Sequence, residues 1–103
     1  MTTLRPIPLM KLDAKEAHAA AFKALAHFTR LQVFFFLVRA QHEVAAGEIQ
    51  GALGVPAPTL SHHLDVLTRA GLIRRRRQER YVYYAIRPEM VIDLVRLLTA
   101  CCG

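Results

Sequence analysis

Three groups of residues in this chain have types and spacings that could do chemistry. The first is Cys101-Cys102, two adjacent thiols and the only cysteines of the sequence. Thiolates are soft ligands, suited to soft metal ions and metalloids. The same pair would also serve as small apolar fillers, as a terminal tail without function, or as a redox couple. Adjacent Cα atoms stand about 3.8 Å apart, below the lower end of about 4.4 Å for ordinary disulfides. Oxidation would therefore favour a bridge between two chains. The second group is the run Arg74, Arg75, Arg76, Arg77 with Arg80 close behind it. So many guanidiniums on one short element suit a phosphate-lined partner better than general solubility. The third is Thr59, Ser61 and His62, polar side chains that follow Pro58. They lie opposite Leu60, Leu64 and Leu67, whose i, i+4, i+7 recurrence predicts one buried helical stripe.

The elements that position these groups follow from the same spacing rules. Glu48–Leu53 reads as a short amphipathic helix with Ile49 and Leu53 on one face, and Gly54 can end it in the left-handed conformation. Val55-Pro56-Ala57 makes a turn, and Pro58 suits the first position of the next helix, which Gly71 ends. Two β-rich runs follow, Leu72–Arg77 and Arg80–Ile86, joined across Gln78-Glu79. Helix, turn, helix and basic hairpin together describe a winged helix-turn-helix. A helix fits the major groove of duplex DNA, and an arginine-rich ribbon lies along phosphates. The bases fall to Thr59, Ser61 and His62 at the exposed start of the second helix. Arg75 and Arg77, alternating on one hairpin face, and Arg80 across the turn fall to phosphate or the minor groove. Asp65 on the same helix repels phosphate and could accept from a cytosine amino group.

Residues 1–12 read as an extended arm interrupted by Pro6 and Pro8, and 13–103 as one domain. Asp13 and Glu16 have the spacing of a capping box for a helix over 14–26 with a stripe of Ala21, Phe22, Leu25 and Ala26. Thr29 can cap a helix over 30–41, with Val33, Phe34, Leu37 and Val38 on its core side and Phe34-Phe35-Phe36 covering more than one face. The last helix begins near Pro88. Met90, Val91, Leu94, Val95, Leu97 and Leu98 form a wide apolar band, with Asp93, Arg96 and Thr99 opposite. Continued at 100° per residue, that band takes in Cys101 and Cys102. A band so wide needs a partner, so the first and last helices predict a two-fold dimer seam.

The chain of 103 residues carries a formal charge of +6, consistent with a polyanionic partner. Its start, broken by prolines, does not resemble a signal peptide. No stretch reaches the roughly 18 uncharged apolar residues of a membrane span, so a cytoplasmic protein with no membrane partner and reduced thiols is expected. Enzyme chemistry lacks its parts: there is no nucleophile–base spacing, no paired carboxylate motif and no glycine-rich phosphate loop. His62 and His63 point about 100° apart on a helix and have no companion ligands, so His63 is expected to pack or hydrogen-bond at the core edge.

These residues together resemble the ArsR/SmtB family, small dimeric winged-helix repressors of bacteria that release DNA on binding metal or metalloid. The resemblance rests on Ala24-Leu25-Ala26 with Thr29-Arg30-Leu31, on Ala52-Leu53-Gly54-Val55, and on Pro58-Thr59-Leu60-Ser61 with His63-Leu64 and Val66-Leu67. It extends through Ala70-Gly71-Leu72-Ile73 and Tyr81-Val82-Tyr83-Tyr84, and covers roughly 14–100. It implies a mainly α fold of five helices and a two-stranded wing, a homodimer through the first and last helices, and an inverted-repeat operator. It also implies an arsenic-type inducer, with no permanent cofactor. The departures are informative. Many arsenic- and cadmium-sensing members carry a Cys-x-Cys pair where this chain has Glu43–Glu48, and zinc- and nickel-sensing members use an Asp and histidines on the last helix. Here that helix has Asp93 and no histidine. Cys101 and Cys102 remain as ligands for trivalent arsenic or antimony. Inorganic arsenite has three exchangeable positions, whereas a methylated or aromatic trivalent arsenical has two and matches two thiols; this favours the organic form, while arsenite could still bind with a hydroxide or a thiol of the second subunit. A ligand-independent or redox-responsive DNA-binding protein is the alternative.

Overall fold

Five helices and a small antiparallel sheet make up the described part of the chain. The computed structural model describes residues 14–102, the side chain of Cys101 excepted. The expected arm over 1–12 and the expected cap Asp13 lie outside the described residues. In order come α1 (Glu16–Leu25), α2 (Phe28–Ala40), β1 (Val44–Ala45), α3 (Ala46–Leu53), α4 (Ala57–Arg69), β2 (Ile73–Gln78), β3 (Tyr81–Ile86) and α5 (Pro88–Thr99). A 3-10 turn, Ala100–Cys102, closes the series. No single described helix is long and apolar enough to cross a membrane.

The core gathers on the inner face of α4. Leu60, Leu64 and Leu67 are buried as their spacing predicts, and they meet Val33 and Leu37 of α2, Ile49 of α3, and Leu72 and Ile73 at the root of the wing. Each fully buried leucine of this kind contributes on the order of 1.5–3 kcal/mol. The two helices of the helix-turn-helix, α3 and α4, are joined at Gly54, whose φ of 67° is the left-handed cap that glycine takes without strain. Pro56 is the N-cap of α4 and Ala57 its first residue, so Pro58 stands at the second helical position and not the first. Either place is free of cost, because a first-turn amide has no intrahelical acceptor. Gly71 follows α4 at φ 78°.

Two helix starts differ from expectation for one reason: histidines do the capping. α1 begins at Glu16, and Lys15 N–H donates to His18 Nδ1 at 3.0 Å. α2 begins at Phe28, where Thr29 N–H donates to His27 Nδ1 at 3.2 Å. Thr29 is therefore the donor in this cap and His27 the acceptor, reversing the expected role. On α1 the buried positions are Ala21 and Ala24, while Phe22 and Ala26 are exposed. Of the three consecutive phenylalanines on α2, Phe34 is buried, Phe36 half-buried, and Phe35 exposed. Val38, expected in the core, is exposed as well.

The wing is the expected two-stranded hairpin, shifted by one residue. Gln78 pairs with Tyr81, so the loop is Glu79-Arg80 and not Gln78-Glu79. Glu79 has φ 56°, as the first loop position of a tight hairpin requires. A third strand, absent from expectation, joins the hairpin: Val44-Ala45 pairs with Tyr84 and Tyr83, giving the order β1-β3-β2. Two residues are too short to leave a periodic signal.

α5 divides its apolar residues between two sides. Leu94 is buried, with Met90 and Val91 packed against the core, whereas Ile92, Val95 and Leu98 are 50%, 52% and 62% exposed. Asp93 faces α1, where its carboxylate is 3.9 Å from His18 Nε2. The α-helix stops at Thr99 and the backbone tightens into the 3-10 turn. The backbone therefore changes its period before Cys101 and Cys102, because that turn has three residues per revolution.

Candidate nucleic-acid interface

α4 is held from behind and bare in front. Its inner leucines anchor it, and Thr59, Ser61, His62 and Asp65 are exposed on the other face. The wing comes up beside this face. Pro58, Ser61, His62 and Asp65 of α4 enclose an open groove of about 420 Å³ with Arg75 and Tyr84 of the hairpin. Of the residues expected at the interface, Ser61, His62 and Arg75 are thus brought together, and Thr59 lies in the first turn of the same helix. Asp65 forms an ion pair with Arg69 one turn on, so its carboxylate does not stand as an isolated negative charge.

The arginines of β2 sort by strand parity, since successive side chains point to opposite faces. Arg75 and Arg77 share a face, and pair in register with Tyr84 and Val82. Arg77 Nε donates to the Glu79 carbonyl at 3.3 Å. Arg80 sits within the loop rather than across it, its guanidinium 5.4 Å from the centre of the Tyr81 ring. Arg76 has a different task. Its Nε and Nη2 both donate to the Glu43 carboxylate at 2.8 Å, Nη1 donates to Gln78 at 2.8 Å, and its guanidinium stacks 4.8 Å from the Tyr83 ring. This two-pronged bond lowers the pKa of Glu43 and raises that of Arg76. It ties the wing to the chain just before β1. Sequence reasoning missed it, because residues 33 apart leave no local pattern.

Behind α4, His63 is buried, as expected of a core-edge histidine. Arg30 approaches its Nδ1 through Nη1 at 3.4 Å and donates through Nε to the Ala24 carbonyl at 2.6 Å. Arginine can only donate, so this bond needs His63 Nδ1 as its acceptor, a role open to the neutral ring alone. Burial lowers the pKa of His63, and the neighbouring His27, Arg30 and His62 lower it further. The His27 and His63 ring centres are 4.6 Å apart. Among the described residues, no three His, Cys, Asp or Glu side chains gather as a metal site. Cys102 is exposed on the 3-10 turn after α5, and the side chain of Cys101 lies outside the described residues.

A helix-turn-helix with a polar outer face, flanked by an arginine-bearing hairpin, defines a winged-helix DNA-binding protein. Comparison with known proteins agrees. A helix-turn-helix domain family matches residues 25–76. The biofilm growth-associated repressor of Agrobacterium fabrum is 36% identical over 95 residues, 92% of this chain and 79% of the relative. The arsenic resistance transcriptional regulator ArsR1 of Pseudomonas putida is 36% identical over 69 residues, 67% of this chain and 53% of the relative. Among solved structures, the homodimeric winged helix-turn-helix DNA-binding domain Mb0332 of Mycobacterium bovis superposes with a TM-score of 0.67 at 36% identity, covering 84% of this chain and 79% of that one. The chain belongs to the ArsR/SmtB family of winged helix-turn-helix transcriptional regulators. Relatives of this kind are regulators and not enzymes.

Proposed function

We propose that this protein is a cytoplasmic homodimeric repressor that binds an inverted-repeat operator and leaves it when a trivalent arsenical is captured by Cys101 and Cys102. The observation that carries the DNA half is the shared groove of Ser61, His62 and Arg75, which offers base-reading side chains and a phosphate-reading cation on one surface. Thr59 belongs to the base-reading set, and Arg77 and Arg80 extend the phosphate-reading set toward the tip of the wing. Two such surfaces, joined through the exposed Ile92 and Val95 of α5, would address half-sites about 34 Å apart.

The inducer half rests on the thiol pair and on the likeness to an arsenic resistance regulator. A methylated trivalent arsenical carrying two hydroxyls would exchange both for sulfur. Two As–S bonds form, two As–O bonds break, and the two thiol protons leave with the hydroxyls as water. No oxidant is needed. Drawing two adjacent thiols onto one atom reshapes the turn after α5, next to the proposed seam. The ligand then acts by favouring the dimer geometry that does not match DNA.

Fluorescence anisotropy of a labelled fragment of the protein's own promoter tests both halves. Reduced protein is bound first and titrated in parallel with methylarsenite, arsenite, antimonite and zinc. Release by methylarsenite at the lowest concentration, abolished in the C101S/C102S double variant with DNA binding intact, is the expected result. A double variant that still responds would remove the cysteines from the mechanism. Binding that nothing releases would leave a ligand-independent regulator, and release by oxidant alone a redox-responsive one.

A further inference from the structure

The recognition helix has two flanks, and the wing serves only one of them. Along the other, between α1 and α4, runs an open groove of about 450 Å³ whose polar lining is Lys23, Arg30, His62 and Arg69. No carboxylate lines it. Among the described residues neither Lys23 nor Arg30 forms an ion pair. Arg69 is partly offset by Asp65. Arg30 is half-buried and held in place by the Ala24 carbonyl and His63, and a guanidinium does not deprotonate. The walls between these cations are small residues, Ala20, Ala24 and Ala70, so the groove stays open. Apart from Asp65 on Arg69, no ion pair among the described residues offsets this gathering of positive charge.

We infer that this groove takes a phosphodiester of the DNA backbone, so that the recognition helix is held by phosphate contacts on both sides. The inference rests on the DNA-binding reading above and extends its surface. A helix with its side chains is about 10–12 Å across and fills a major groove about 12 Å wide. Both sugar-phosphate strands must then pass along its flanks. One strand meets Arg75 and the wing. The other runs beside His62, Lys23 and Arg69. His62 lines both grooves, which makes them two sides of one continuous surface. The second groove opens toward α1, which packs on α5 near His18 and Asp93, so the phosphates it meets are those nearer the operator's centre.

The test is the log–log salt dependence of promoter binding, by anisotropy, for the full-length protein and three variants. Lys23 is exposed and at a helical position where glutamine is almost as good a helix former. K23Q should weaken binding severalfold and lower the slope by about 0.9, the value for one lost phosphate contact. The loss should be equal on unrelated DNA, because phosphates carry no sequence information. K23E should deepen it to about tenfold or more. R39E, on the α2 face beside Phe28 and Phe35, controls for net charge and should change the slope less. Equal effects of K23E and R39E would overturn the inference, as would an unchanged slope in K23Q. Stabilisation of the free protein by inorganic phosphate, lost in K23E while DNA binding is untouched, would also overturn it in favour of a small-anion site. Failure of the unaltered protein to bind DNA with steep salt dependence would instead defeat the underlying DNA reading.

Discussion

α4 and α5 are built alike on the inside and oppositely on the outside. Each buries leucines against the same core, Leu60, Leu64 and Leu67 on one and Leu94 on the other. The outer face of α4 is Thr59, Ser61, His62 and Asp65, with cations gathered on both flanks. The outer face of α5 presents Ile92, Val95 and Leu98 to solvent. An inner stripe only says that a helix belongs to a core. The outer face shows what a helix offers its surroundings: polar and cationic groups on α4, apolar ones on α5. Under the proposed function, α4 is the helix for DNA and α5 the helix for a second copy.

The sharpest way to break that division is to give α5 an outer face like that of α4. Val95→Asp places a charge in the middle of the exposed apolar face without touching Leu94. The variant should be monomeric by sedimentation at concentrations where the unaltered protein is dimeric. Its affinity for a two-half-site operator should fall by about a hundredfold or more, because linked half-sites gain that order of avidity. Its helical circular dichroism should persist. A Val95→Asp protein that remains dimeric would move the seam off α5.

A smaller effect separates the arginines that look alike in sequence. Arg75 shares the groove with α4, whereas Arg76 is bound to Glu43 and stacked on Tyr83. Arg75→Ala should cost about tenfold in promoter affinity and about 0.9 in salt slope, and leave the thermal midpoint in place. Arg76→Ala should reverse the pattern, lowering the thermal midpoint while changing the salt slope less. Equal losses of DNA affinity in the two would show that the wing acts by bulk charge and not by strand parity.

The legible part of this molecule was whatever repeats locally. The stripe of α4, the glycines at 54 and 71, the hairpin and the arginine parity are all spacing rules applied within a few residues. Three kinds of feature escaped. Caps supplied by His18 and His27 use a residue type that capping preferences rank low. The two-residue strand at Val44-Ala45 and the Arg76–Glu43 bond join segments far apart in sequence, and exist only once the core has brought them together. The third is exposure on α5: one apolar band covered Val95 and Leu94 equally, and only the packing separates the side that meets the core from the side that does not. For the cysteines, the helical rule ended at Thr99, where the backbone changes its period.

The finest test concerns a polar difference between the inner faces of α4 and α5, the buried His63. Arg30 donates to its Nδ1, and His27, His62 and Arg30 face it. Burial, first, and those neighbours lower its pKa below the ordinary 6.5, so the folded protein binds its proton less readily than the unfolded chain does. Between the two pKa values the unfolded state holds more protons, and stability therefore rises with pH. The contribution is complete above about 6.5 and is lost as pH falls from there toward the depressed folded value. Thermal midpoints measured from pH 7.5 to 5 should fall more steeply for the unaltered protein than for His63→Gln. The glutamine can still accept from Arg30 but takes up no proton in this range. The substituted protein should be somewhat less stable at pH 7.5, and the gap should narrow toward pH 5. Parallel pH profiles would mean that His63 escapes protonation altogether or that the other histidines dominate. In that case α4 would sit on its core as indifferently to pH as α5 does on Leu94.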